Sequence, residues 1–298
     1  MTMNNELRID ALLPADMAAK AETIGVKKAN LDVASMFVLA VLAGAFIALG
    51  AIFATTVTAG AFGSTLPGNA TAATTWPTGW QRLLSGLVFS LGLILVVVGG
   101  AELFTGNNLI VMAWANGKVS TRLLGLNWLV VYVGNFVGSV ATAVLMLWTR
   151  QYEFSGGQIG LQALTIANHK AGLDFWQAVM LGIMCNALVC LAVWLTYSAR
   201  STTDKIMAIT PPITAFVAAG FEHSVANMYF IPMGMLIQST ASPEFWATIG
   251  RAPADFANLT MTNFLVRNLI PVTIGNIIGG AVLVGAVYWF VYLRKRGE

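Results

Sequence analysis

Six long runs without a charged side chain dominate this chain: Val33 to Gln81, Leu83 to Ala101, Leu123 to Thr149, Phe175 to Ala199, Ile206 to Phe221 and Asn268 to Leu293. The first contains a hydrophilic turn, and the remaining apolar stretches are roughly 20 residues or more, the length at which a helix crosses hydrocarbon. The pattern predicts an all-α polytopic membrane protein with six transmembrane helices. Its domain plan is an N-terminal amphipathic helix within residues 1–30, a channel-sized bundle over 31–293, and a short C-terminal tail, 294–298. Pro14-Ala15-Asp16 opens the first helix, with proline at a first turn, and that helix ends near Lys28.

Two of the apolar stretches carry the same acidic punctuation. Gly100-Ala101-Glu102-Leu103-Phe104-Thr105-Gly106-Asn107 and Gly220-Phe221-Glu222-His223-Ser224-Val225-Ala226-Asn227 both read G-x-E-x-x-x-x-N. A carboxylate at the bilayer centre costs about 3 kcal/mol on insertion scales, so a repeated one marks a function or a brace. A second frame, N-x(6)-G-N-h-h-G, joins the segment from Asn127 through Gly134, Asn135 and Gly138 to the segment from Asn268 through Gly275, Asn276 and Gly279. The halves are then about 31–149 and 175–293, each with three spans. An odd number of spans turns the second half over, giving an inverted 3+3 repeat with two broken helices. Such repeats place a substrate path at the midplane between the halves.

The flanking residues add candidate chemistry. Small residues beside Asn135 and Asn276 allow close helix packing, with the amides bonding across the contact. Glu102 and Glu222 are expected to brace the breaks by accepting backbone N–H groups that lipid cannot satisfy. His223 is the one histidine of two at membrane depth, and imidazole exchanges a proton near neutral pH. His169-Lys170 is expected in a loop between spans three and four, where Lys170 is either simply solvated or draws anions to a pore mouth. Cys185 and Cys190 sit five apart in one span and read as packing residues.

Composition narrows the class. Apolar residues make up 57% and charged ones 10%, too few for a soluble surface at this length. A net charge of +3 requires no nucleic acid. With the N-terminus inside, eleven of the sixteen Lys and Arg residues fall on that side and five on the other, placing both termini in the cytoplasm. The stretch from Thr58 to Gln81 carries no charge, as befits a translocated segment. The first 30 residues lack the short apolar core of a cleaved signal. Sequons at Asn69 and Asn258 are short matches of the kind that arise by chance.

The sequence resembles the formate/nitrite transporter family over almost its whole length, most closely the bacterial formate channels. The resemblance rests on Phe89-Ser90-Leu91-Gly92-Leu93-Ile94-Leu95, on the two acidic segments, on Asn186-Ala187-Leu188-Val189-Cys190-Leu191-Ala192-Val193-Trp194, and on Pro271 through Gly280. It implies an aquaporin-like fold with a pore in each protomer of a homopentamer in the bacterial inner membrane, and a mobile loop after Glu102. Carried across residue by residue, it implies that Phe89, Leu93, Leu103 and Phe216 constrict the pore. It implies that Thr105 and His223 form a polar pair across the path, with Asn186 along it and Lys170 at the outer mouth. Asn107 falls where the family varies. The expected cargo is formate, with His223 able to donate a hydrogen bond or a proton to it; nitrite and hydrosulfide suit the same chemistry. No cofactor is implied. An aquaporin-type channel for neutral solutes would carry Asn-Pro-Ala, which is missing, and an ammonium channel would pair two pore histidines. An embedded metalloenzyme would cluster ligands that here fall on separate breaks.

Overall fold

In the computed structural model, residues 11–60 and 77–294 are described. Asn69, most of the uncharged stretch before Gln81, and the C-terminal Lys295 and Arg296 lie outside them. The helices are α1 Pro14–Ala29, α2 Val33–Thr58, α3 Thr78–Gly99, α4 Phe104–Asn107, α5 Val111–Ala115, α6 Thr121–Trp148, α7 Gln158–Ala171, α8 Phe175–Ser198, α9 Thr202–Ala219, α10 Ser224–Thr240, α11 Pro243–Ile249 and α12 Ile270–Ile277, the last flanked by π-helical turns within Asn263–Leu293. Among the described residues, five helices are long and apolar enough to cross a membrane: α2, α3, α6, α8 and Asn263–Leu293. The apolar run from Ile206 becomes α9, which carries Pro211 and Pro212 in its interior and is not among those five. Between α6 and α8, where a loop was expected, the chain folds as the 14-residue helix α7, and Lys170 sits in its last turn.

Sequence dictates where the helices stop. Gly100 and Gly220 adopt left-handed φ angles of 81° and 76°, which a residue without Cβ reaches without strain. Each glycine caps its helix; after three residues outside helix the chain coils again, at Phe104 or at Ser224. Asp32, Ser120, Asp174 and Ser201 cap the starts of α2, α6, α8 and α9 with side-chain oxygens.

Packing follows the glycine frame. A Cβ on Gly138 would strike the Val41 carbonyl oxygen, and one on Gly279 would strike that of Ile183. These pairs bring α2 against α6, and α8 against the last span, at backbone contact distance. Many large apolar side chains remain on the outside, among them Val38, Leu129, Leu145, Met180 and Val266. An apolar exterior around a polar-centred bundle is the reverse of a soluble fold and is the surface of a multi-pass membrane protein. Cys185 and Cys190 are free and buried.

Candidate functional site

The two connections that follow α3 and α9 are held by matching sets of polar side chains. Asn135, from α6, accepts the Phe104 N–H (2.9 Å) and donates to the carbonyls of Glu102 (2.9 Å) and Ala40 (2.8 Å). Asn276, from α12, accepts the Ser224 N–H (2.9 Å) and donates to the carbonyls of Glu222 (2.9 Å) and Gly182 (2.8 Å). The Glu102 N–H reaches the Leu39 carbonyl and the Glu222 N–H that of Leu181. The asparagines therefore satisfy the backbone groups that a helix end leaves open.

This corrects the expected role of the glutamates. Neither carboxylate accepts a backbone N–H among the described residues; each takes a lysine and an asparagine side chain. Glu102 receives Lys28 Nζ at 2.8 Å and Asn107 Nδ2 at 2.7 Å. Glu222 receives Lys170 Nζ at 2.8 Å and Asn227 Nδ2 at 2.7 Å. The amides of Asn107 and Asn227 donate onward to Asn127 (2.9 Å) and Asn268 (2.8 Å), which in turn donate to the backbone carbonyls of Lys28 and Lys170. Four residues on one side thus have four counterparts on the other. The match breaks at the asparagine oxygen: Asn107 Oδ1 also receives Lys28 at 3.0 Å, whereas Asn227 Oδ1 is buried with no partner among the described residues.

Lys28 belongs to α1, the helix expected to pack on the bundle from its cytoplasmic side, and its amine closes one network. Lys170 is not a solvated loop lysine. Its side chain is 15% exposed, paired with Glu222 and 5.5 Å from the Phe230 ring centroid. Asn127 and Asn268 open the second repeat frame, so their paired positions were visible while their work was not. Nothing near Lys28 in the sequence points to a glutamate 74 residues away.

Two cavities approach each other from opposite ends of the bundle. One, about 310 Å³, is lined by Arg82, His169, Lys170 and Glu222 and ends at Phe89, Phe216 and His223. The other, about 430 Å³, is lined by Lys20, Lys28, Glu102 and Lys205 and ends at Leu93 and Leu103. Phe89 meets Phe216 edge to face at 5.7 Å, and Phe216 stacks at 6.0 Å from the His223 ring. All four apolar residues are nearly inaccessible.

His223 lines the first cavity, and Thr105, which lines neither, lies in the chain between Leu103 and Gly106 of the second; the Thr105 hydroxyl is 2.9 Å from His223 Nε2. The other ring nitrogen decides the tautomer. Nδ1 accepts the Ala226 N–H at 3.1 Å, capping α10, so a neutral ring carries its proton on Nε2 and donates it to Thr105. The threonine hydroxyl then keeps its own proton for a further acceptor. Asn186, expected along the path, lines neither cavity. It lies behind Thr105, donating to the carbonyls of Thr105 and Asn276 and to Asn108 Oδ1. Among the described residues no three His, Cys, Asp or Glu side chains group as metal ligands.

A family model described as formate/nitrite transporter matches residues 15–290. The chain is 49% identical over 287 residues to the formate channel FocA of Escherichia coli (strain K12), covering 96% of each. It is 43% identical over 282 residues to FocA of Haemophilus influenzae, covering 95% of each. Among solved structures, it resembles a pentameric formate channel with formate bound, with TM-score 0.80, 49% identity and coverage of 88% of this chain and 98% of that one. An ion channel of the same family gives TM-score 0.71 at 28% identity, covering 93% and 98%.

Proposed function

The chain belongs to the formate/nitrite transporter family, and we propose that it carries formate across a bacterial inner membrane through a path in each protomer of a homopentamer. In this reading the two halves are an inverted 3+3 repeat with six crossings. Connections 101–103 and 221–223 interrupt two of them, and both termini face the cytoplasm.

The observation that carries the reading is the Thr105–His223 contact, which links the lining of one lysine-bearing cavity to the segment between Leu103 and Gly106 of the other. Cavity cations concentrate a small anion at each end. Leu93, Leu103, Phe89 and Phe216 strip its water, and desolvating an unpaired carboxylate is costly. Thr105 O–H is a donor at this polar point, and His223 Nε2–H becomes a second by exchanging its Thr105 acceptor for the anion, so that the two oxygens of a carboxylate can be received. Charge-assisted bonds of this kind are about twice as strong as neutral ones.

His223 acts here as a neutral donor. Handing a whole proton to formate requires a ring that first takes a second proton at Nδ1, where Ala226 already donates and the cap of α10 would be lost. Nitrite and hydrosulfide fit the same donors, so substrate choice is tested directly. Purified protein in liposomes should move formate faster than protein-free vesicles at two pH values and in preference to nitrite and hydrosulfide. Vesicles no more permeable to formate than empty ones would refute the proposal.

A further inference from the structure

The two cavities share the Lys–Glu–Asn–Asn set but differ in charge. The cavity ending at Phe89 and Phe216 has two cations beside Glu222, Arg82 and Lys170, and Arg82 donates to the Ala218 carbonyl at 3.1 Å. The cavity on the α1 side has four lysines, Lys20, Lys27, Lys28 and Lys205, beside the single carboxylate of Glu102. Only Lys28 is neutralised by that carboxylate. Lys20 Nζ is held by the Tyr197 carbonyl at 2.7 Å, in the last turn of α8, a partner that bears no formal charge. Lys27 and Lys205 bond to none of the described residues. Partial burial and the nearby charge of Lys205 hold the Lys20 amine below its usual range.

Three ammonium groups without a carboxylate partner among the described residues, around about 430 Å³, exceed what recruiting a monovalent anion requires. Like charges brought together without a counterion destabilise the free protein and favour a ligand bearing several negative charges. The Thr196 hydroxyl and Tyr197 line the same wall and offer further polar contacts. We propose that the α1-side cavity binds a small multivalent anion of the phosphate class at Lys20, Lys27 and Lys205, and that the bound anion blocks the path from that side.

Such an anion cannot follow formate inward. Its desolvation at Leu93 and Leu103 rises steeply with charge. It therefore lodges above the constriction and occupies the space formate must cross. The inference rests on the formate reading for its flux readout but not for its binding readout, so the two can fail separately.

The test uses the full chain in zwitterionic liposomes, which removes anionic lipid headgroups as competitors. Formate flux is measured with pyrophosphate placed on one face, then the other, with KCl matched for ionic strength. Direct pyrophosphate binding to the detergent-solubilised protein is measured alongside. The expected result is block from the α1 face only, beyond that of matched KCl, weakened about tenfold in Lys27→Gln and further in Lys27→Gln with Lys205→Gln. Lys27→Arg with Lys205→Arg should restore it. Equal block from both faces, inhibition reproduced by KCl, or unchanged binding in the double Gln variant would overturn the proposal. Absent formate flux with intact, lysine-dependent pyrophosphate binding would instead overturn the transport reading and leave the anion site standing.

Discussion

Ala226 donates its backbone N–H to Nδ1 of His223, and that bond orients the imidazole toward Thr105. One residue thereby does two things. It caps the start of α10, a helix of 17 residues, and it presents a hydrogen-bond donor beside the Phe216 ring. Under the proposed function, anion passage uses the second role.

This duality separates two substitutions at one position. His223→Asn keeps an excellent cap, because its side-chain oxygen can take the Ala226 N–H, and keeps an amide donor. His223→Leu removes both. We expect the Asn variant to assemble and to retain formate flux within about tenfold of wild type, the scale of one charge-assisted bond. The Leu variant should lose both flux and about 1 kcal/mol of stability from the cap. Thermal melts and liposome flux read the two effects independently.

The glutamates are predicted to matter through their lysines. Breaking a buried ion pair from one side leaves the other charge uncompensated, at a cost of about 3–5 kcal/mol. Lys170 is 15% exposed and Lys28 27%. Glu222→Gln should therefore lower the melting temperature more than Glu102→Gln, and Glu222→Gln with Lys170→Met should recover part of the loss. Equal melting of Glu222→Gln and wild type would show that Lys170 has found other compensation.

Asn276→Ala strands the Ser224 N–H and the Glu222 carbonyl and removes a second bond from the Gly182 carbonyl, which keeps its helical partner within α8. A buried unsatisfied group costs about 1–3 kcal/mol, so two together should weaken assembly severely. Asn276→Asp keeps an acceptor for Ser224 and loses the two donations, and should fall between. Size-exclusion profiles of the purified variants check the order.

Much of this was legible in the sequence, and the gaps have physical reasons. Charge-free runs disclosed the apolar helices because lipid-facing surface tolerates no charge. The paired G-x-E-x-x-x-x-N segments disclosed both connections, because glycine is needed where φ turns positive. Lys28 stayed hidden because an ion pair between α1 and a residue 74 positions later leaves no local periodicity. The glutamates and asparagines exchanged roles because spacing shows which polar groups are near a helix end, not which one faces the backbone. Asn186 was read from its segment alone; its bonds to the carbonyls of Thr105 and Asn276 join elements too far apart in the chain for spacing to disclose.

Widening the apolar floor should relax selectivity. Phe89 and Phe216 touch edge to face, and removing either ring opens the space beside His223. Phe216→Ala should admit larger monocarboxylates such as acetate or lactate at rates nearer to formate. An unchanged formate-to-acetate ratio would place the size filter elsewhere.

The central claim is that formate crosses by accepting hydrogen bonds from Thr105 and His223. It is tested most directly by formate flux through reconstituted Thr105→Val, which keeps the shape of the side chain and deletes its hydroxyl, compared with Thr105→Ser, which keeps the hydroxyl. The account predicts a fall of about tenfold or more for Val and near-wild-type flux for Ser, in protein of equal stability. Equal flux through the Val variant and wild type would contradict it.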